Sequence, residues 1–169
     1  MEAHDPGRGA ISFRPMAKPR VGDPAPEFEL EGTEGPFRLS AHRGKPVVLL
    51  FYPGDETPVC TRQFCSYRDN WGRLSALGAV VVGISGQDLD SHRRFKERHG
   101  LTVPLLADPT GEVARLYGAH HPLLGTRRSV VIVDGEGVIR YRHDHLLGLR
   151  FQDAEAIERA LAALSAVSA

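Results

Sequence analysis

Residues Val47-Val48-Leu49-Leu50-Phe51-Tyr52-Pro53-Gly54-Asp55-Glu56-Thr57-Pro58-Val59-Cys60 pass from an unbroken apolar run through a turn into a helix start. The run Val47 to Tyr52 is partly β-branched and has no polar alternation, which is the pattern of a strand buried on both faces. Pro53 and Gly54 break it. Thr57 is a good N-cap and Pro58 suits the first helical position. Cys60, Phe64, Tyr67, Trp71 and Leu74 then recur at helical spacing, which predicts a helix from about Pro58 to Leu77.

Working outward, Ala79 to Ser85 reads as a second buried strand, and Asp88 to His99 as a polar helix closed by Gly100. A short strand near Val103 to Leu106 and a short helix at Thr110 to Tyr117 follow. Ser129 to Val133 and Val138 to Arg142 flank Asp134-Gly135-Glu136-Gly137 as a β-hairpin. Gln152 to Leu164 closes the chain as a helix with Ala156, Ile157, Leu161 and Leu164 inward. Upstream, Phe28, Leu30, Phe37 and Leu39 are separated by Gly32 and Gly35, the signal of a small entry hairpin. Residues 1–20 carry Pro6, Pro15 and Pro19 without periodicity and read as a flexible extension, leaving 21–169 as one domain. Strands alternating with helices imply a mixed α/β sandwich, in an order compatible with a thioredoxin-like fold.

Composition excludes several classes. Lys plus Arg and Asp plus Glu number 21 each, so no basic excess points to nucleic acid or an anionic membrane. The apolar runs are too short to span a bilayer. The N-terminus has no apolar block of the secretory type, so the expected location is the cytoplasm. Only two cysteines are present, Cys60 and Cys65, too few for a secreted disulfide scaffold.

With a helix starting near Pro58, Cys60 falls in its first turn, where free backbone N–H groups and the macrodipole favour a thiolate. Taken alone, Cys60 would also fit a small buried hydrophobe, and Cys65 an inert helix cysteine. In a regular helix, residues five apart have Cα atoms roughly 8–9 Å apart. A disulfide rarely tolerates more than about 7 Å. The two cysteines therefore cannot pair without unwinding the turn between them. Cys60 lies on the apolar stripe, whereas Cys65 is rotated towards Arg68, Asp69 and Gly72 and is expected to be the more movable.

Pro53, Thr57 and Cys60 meet the Pro-x-x-x-Thr/Ser-x-x-Cys motif of the peroxiredoxins. The longer string FYPGDETPVCTRQFCSYRD closely resembles the bacterioferritin-comigratory protein, or peroxiredoxin Q, subfamily. The resemblance runs from Val21-Gly22-Asp23-Pro24 through GISGQDLDSHRRF, VPLLADP and Arg128-Ser129-Val130-Val131 to the final helix. It implies that Cys60 is the peroxidatic cysteine, attacking the peroxide O–O bond, and that Cys65 is the resolving one. It further implies that Thr57 hydrogen-bonds the peroxide, that Pro53 shields the pocket and that Arg128 stabilises the thiolate. Adjacent strand residues face opposite ways, so Arg127 should point away as a solvated charge. The implied cycle reduces hydrogen peroxide and small organic hydroperoxides through a Cys60 sulfenic acid and a Cys60–Cys65 disulfide. A thioredoxin- or glutaredoxin-like protein recycles it, without metal or organic cofactor, in a monomer or weak homodimer.

Two positions depart from the subfamily pattern. Gln63 stands where Glu is usual, replacing a carboxylate near the thiolate with an amide. Val131 stands where an aromatic is common and is expected to loosen the pocket wall.

Other readings of the same residues are a non-enzymatic redox sensor, which the same unwinding would serve, and a thioredoxin-type disulfide oxidoreductase. The latter would need Cys-x-x-Cys and a proline just before the hairpin strand, but the last proline is Pro122. His120-His121 and His143-x-His145 have no cysteine or carboxylate at structural-zinc spacing, so the histidines are expected to be solvated or structural. Asp134-Gly135-Glu136-Gly137 lacks the downstream lysine of a phosphate loop.

Overall fold

The computed structural model describes residues 17–145 and 150–167. The decisive run forms β3 (Val47–Phe51), after a short antiparallel hairpin of β1 (Glu29–Leu30) and β2 (Phe37–Arg38). Every residue of β3 is buried, as a strand covered on both faces requires. It pairs in parallel with β4 (Val80–Ser85), which pairs in parallel with β5 (Leu105–Ala107). On its other side β3 pairs antiparallel with β8 (Ser129–Val133), which pairs antiparallel with β9 (Ile139–Asp144). The resulting five-stranded order is β5-β4-β3-β8-β9, the mixed sheet of a thioredoxin-like fold.

The period of two along the strands divides the core between the two faces of the sheet. Val48, Leu50, Tyr52, Val130 and Ile132 face α1 (Pro58–Asp69), α2 (Trp71–Ala76), α3 (Leu89–His99) and α5 (Ala154–Val167). Val47, Leu49, Phe51, Val131 and Val133 face the entry hairpin and α4 (Glu112–Leu116). Gly83 on β4 lets α1 come close. A Cβ there would stand 2.9 Å from Phe64 Cζ and 2.8 Å from Leu105 Cδ2.

Several boundaries differ from the sequence expectations. The helix predicted from Pro58 to Leu77 is two helices, broken at Asn70. The Asn70 side chain donates to the Ser66 carbonyl at 2.8 Å, so a short amide side chain competes with the helical ladder. β5 starts after Pro104, which has no N–H to give the ladder. In α5 the inward residues are Ala154, Ile157, Ala160 and Leu161, with Leu164 packed against them. Ala156 is only half-buried, because it stands about 100° off that stripe. Asp88 caps α3 through Ser91 N, and Gly100 ends it in the left-handed conformation at φ 60°, both as expected. A second small hairpin, β6 (His120–His121) with β7 (Gly125–Thr126), gave no signal in the sequence. Within it, His121 Nδ1 accepts from Leu123 N at 3.1 Å and Leu124 N at 3.2 Å, a structural use of that histidine.

Residues 1–16 lie outside the described residues, whereas Lys18 pairs with Asp144 and Pro19 is buried against β9, its carbonyl accepting from Arg142. Contacts with the sheet thus begin just upstream of Val21. No helix among the described residues is long and apolar enough to cross a membrane.

Candidate active site

Thr57 has extended backbone and caps α1, its hydroxyl accepting from Cys60 N at 3.3 Å, with Pro58 as the first helical residue. Cys60 thereby sits in the first turn with no exposed surface, facing the positive end of the helix. Both cysteines are free thiols, and α1 is continuous through Cys60 and Cys65. Cys65 is half-buried at the edge of the core. It lies close enough to Arg68 that its negative form, after the Asp69 hydrogen bond, helps push the Arg68 guanidinium up.

Arg128 immediately precedes β8 and shares the parity of Val130 and Ile132, so it projects onto the face occupied by Cys60. Its Nη2 donates to Cys60 Sγ at 3.1 Å, and the residue is only 2% exposed. Arg127, one residue earlier, is half-exposed, as the alternation requires. Val131 belongs to the opposite face of the sheet and does not wall the Cys60 pocket, contrary to the sequence expectation. The same alternation that brings Arg128 in turns Val131 away.

Arg128 Nη1 donates to Gln63 Oε1, Gln63 Nε2 donates to Tyr67 Oη at 2.8 Å, and Tyr67 donates to the Gln152 carbonyl. The chain runs in one direction because an amide both accepts and donates. A Glu at this position could not donate to Tyr67. Burial pushes the Tyr67 phenol well up, so it remains a donor. No carboxylate pairs with Arg128 among the described residues. A buried guanidinium without a counter-charge is costly, and among the described residues the acceptor on it able to become an anion is Cys60.

Pro53 is exposed at the mouth of the loop, and Thr57 is exposed above the buried sulfur. Glu56, between them, has φ 63°, a left-handed conformation that costs a non-glycine residue of order 1 kcal/mol. Its carboxylate meets His99 Nε2 at 3.1 Å and Arg98 Nη1 at 3.5 Å, contacts from α3 that hold it there. Sequence reasoning missed Asp55 and His92 altogether. They meet at 2.7 Å across 37 positions, a separation at which no spacing rule operates. Among the described residues, no three His, Cys, Asp or Glu side chains are grouped to hold a metal ion.

The AhpC/TSA family profile matches residues 21–142, which include Thr57, Cys60, Cys65 and Arg128. The chain belongs to the AhpC/TSA family. It is a peroxiredoxin, a thiol peroxidase. It is 38% identical to the chloroplastic peroxiredoxin Q of Sedum lineare over 155 residues, covering 90% of this chain and 81% of that one. It is 39% identical to a putative peroxiredoxin bcp of Coxiella burnetii over 127 residues, covering 70% of this chain and 84% of that one. The crystal structure of the peroxidoxin BcpB of Mycobacterium tuberculosis superposes with a TM-score of 0.76 at 32% identity, covering 88% of this chain and 98% of that one. This peroxiredoxin therefore has the peroxiredoxin Q kind of sequence on a thioredoxin-like frame, with the Cys60–Arg128 pair at its centre.

Proposed function

We propose that this peroxiredoxin reduces hydrogen peroxide and small organic hydroperoxides by a two-cysteine cycle within one chain. The observation that carries the reading is the buried Arg128 guanidinium donating to Cys60 Sγ at 3.1 Å, with no carboxylate among the described residues to share it. Cys60 attacks one peroxide oxygen as thiolate. The O–O bond breaks, the sulfur becomes a sulfenic acid, and the other oxygen leaves as an alcohol or water after taking a proton. Thr57 would position the peroxide from the loop, and Pro53 would limit access of water. Donors aimed at the charge passing to the leaving oxygen lower the barrier.

Oxidation removes the charge that Arg128 holds, which loosens the first turn of α1. Cys65, beside Arg68, then attacks the sulfenic sulfur to give a Cys60–Cys65 disulfide and water. A thioredoxin- or glutaredoxin-like dithiol protein returns both thiols, which places the cycle in a reducing compartment such as the cytoplasm. The proposed cycle draws on residues of one chain only, so a monomer suffices for it and a weak homodimer is compatible with it.

One equivalent of hydrogen peroxide should yield a species lighter by a pair of hydrogens, with Cys60 and Cys65 in one cross-linked peptide. Cys60→Ser should consume no peroxide; residual turnover by that variant would remove Cys60 from the role. Cys65→Ser should complete one turnover and then stop cycling with thioredoxin; continued cycling would show that Cys65 does not resolve. Sustained turnover by the unaltered protein separates the enzyme from a sensor that oxidises once.

A further inference from the structure

The loop between β3 and α1 is gripped by α3 through a buried charge cluster that the catalytic dyad does not use. Asp55 is buried and accepts from Tyr52 Oη at 2.7 Å, Ser91 Oγ at 2.8 Å and His92 Nδ1 at 2.7 Å. His92 has no exposed surface, and its Nε2 lies 3.1 Å from the Leu106 carbonyl oxygen of β5. A carbonyl can only accept. The His92 ring thus bridges the Asp55 carboxylate of the loop and the Leu106 carbonyl of β5, tying the loop through α3 to the sheet. Burial alone would push the Asp55 carboxyl up; the bonds from His92, Tyr52 and Ser91 overcome this and hold it below the usual range.

The grip brackets the segment that must move. Upstream of Cys60, Asp55 and Glu56 are fixed to Ser91, His92, Arg98 and His99 of α3. Downstream of Cys65, Ser66 Oγ accepts from Ala154 N at 3.2 Å, Tyr67 donates to Gln152 O and Arg68 to His99 O. Between these anchors lie Thr57 to Cys65. There the side-chain bonds holding the helix start are weak, at 3.3 Å from Cys60 N to Thr57 Oγ1 and 3.4 Å from Thr57 Oγ1 to Gly54 O. The strong upstream hold is therefore the Asp55–His92 pair, not the helix cap. Unpairing a buried charge costs far more than losing a long hydrogen bond.

We propose that Asp55 and His92 are positioning residues that latch the loop ahead of α1 and set the rate at which oxidised Cys60 is released to Cys65. In the step they govern, the Cys65 sulfur attacks the sulfenic sulfur of Cys60, the S–S bond forms and the S–O bond breaks. The departing hydroxide takes the Cys65 proton and leaves as water. The proposal rests on the reading of Cys65 as the resolving cysteine.

Asp55→Asn keeps the shape of the residue and removes its charge. Trp71, the single tryptophan, begins α2 just beyond the moving segment and reports both steps in stopped-flow fluorescence. Peroxide-concentration dependence separates them, since the oxidation step scales with peroxide and the disulfide step does not. In Asp55→Asn the disulfide step should accelerate by about fivefold or more. The milder Ser91→Ala should accelerate it less, and decides the matter if Asp55→Asn does not fold. Asp134→Asn, in the β8–β9 turn at the other end of the sheet, loses a carboxylate that pairs with Arg140 and caps the turn, and should leave the step unchanged. An unchanged or slower disulfide step in the loop variants overturns the latch, as does equal acceleration in Asp134→Asn, which would signal general destabilisation. If the unaltered protein forms no Cys60–Cys65 disulfide, the reading of Cys65 fails and the latch with it.

Discussion

Arg128 Nη2 and Cys60 Sγ lie 3.1 Å apart although 68 positions separate them in the chain. Strand parity delivers one partner and helix capping the other, so the contact depends on two independent local rules meeting at the sheet face. Arg128→Met keeps much of the bulk and removes the charge. Peroxide oxidation of Cys60 should slow by about a hundredfold, the usual loss when a buried donor to developing charge is removed. Thermal stability should fall, because the buried Gln63 Oε1 loses its donor and Cys60 its counter-charge. Stopped-flow oxidation and a thermal melt on the same sample check both signs.

Gln63 passes a hydrogen bond from Arg128 to Tyr67, in one direction, to the Gln152 carbonyl. In Gln63→Glu the carboxylate would draw on the Arg128 charge and leave Tyr67 without its donor. Oxidation should slow by about tenfold, equivalent to about 1.4 kcal/mol in the barrier. The Tyr67 hydroxyl should turn from Gln152 towards Glu, a change visible in a crystal structure of the variant.

Gly83→Ala tests how closely α1 must approach β4. Its Cβ would stand 2.9 Å from Phe64 Cζ. The helix would have to shift outward, costing about 1–3 kcal/mol in chemical denaturation. Because Phe64 lies one turn beyond Cys60, oxidation should slow along with it.

Acid stability follows from two carboxylates. At Asp144, burial raises the carboxyl, but hydrogen bonds from Arg142, Lys18 and Ser129 outweigh this and hold it at about 2, from an ordinary 3.8. Asp55 is lowered likewise by His92, Tyr52 and Ser91 against its burial. A carboxyl lowered in the folded state stabilises the fold fully above its unfolded value. That contribution is lost as pH falls from about 4 towards about 2. Asp144→Asn should lose about 1 kcal/mol at neutral pH and flatten the acid limb; its partial exposure keeps the figure modest. Denaturant midpoints between pH 7 and pH 2 measure it.

The strands, the capped helix start and the placement of Cys60 were legible because each follows from a short-range rule: an apolar run, an N-cap before Pro58, a period of 3.6. Arg128 was singled out through resemblance, and strand parity accounts for the face from which it reaches Cys60. Val131 was misread because a pattern position was taken without its face. The break at Asn70 was hidden by Trp71 and Leu74, which keep helical spacing across it. The Asp55–His92 pair was invisible, since tertiary folding alone brings a loop residue onto a helix four elements later.

The Asn70 break bounds the damage that catalysis does to its own scaffold. On the proposed cycle the enzyme melts part of a helix at every turnover and must refreeze it before the next. With α1 ending at Asp69, α2 keeps its own hydrogen bonds and its packing on α5 whatever happens upstream. A single uninterrupted helix would let fraying creep towards Leu74 and the core. Asn70 works as a firebreak, confining a recurring local thaw to the few residues whose chemistry needs it.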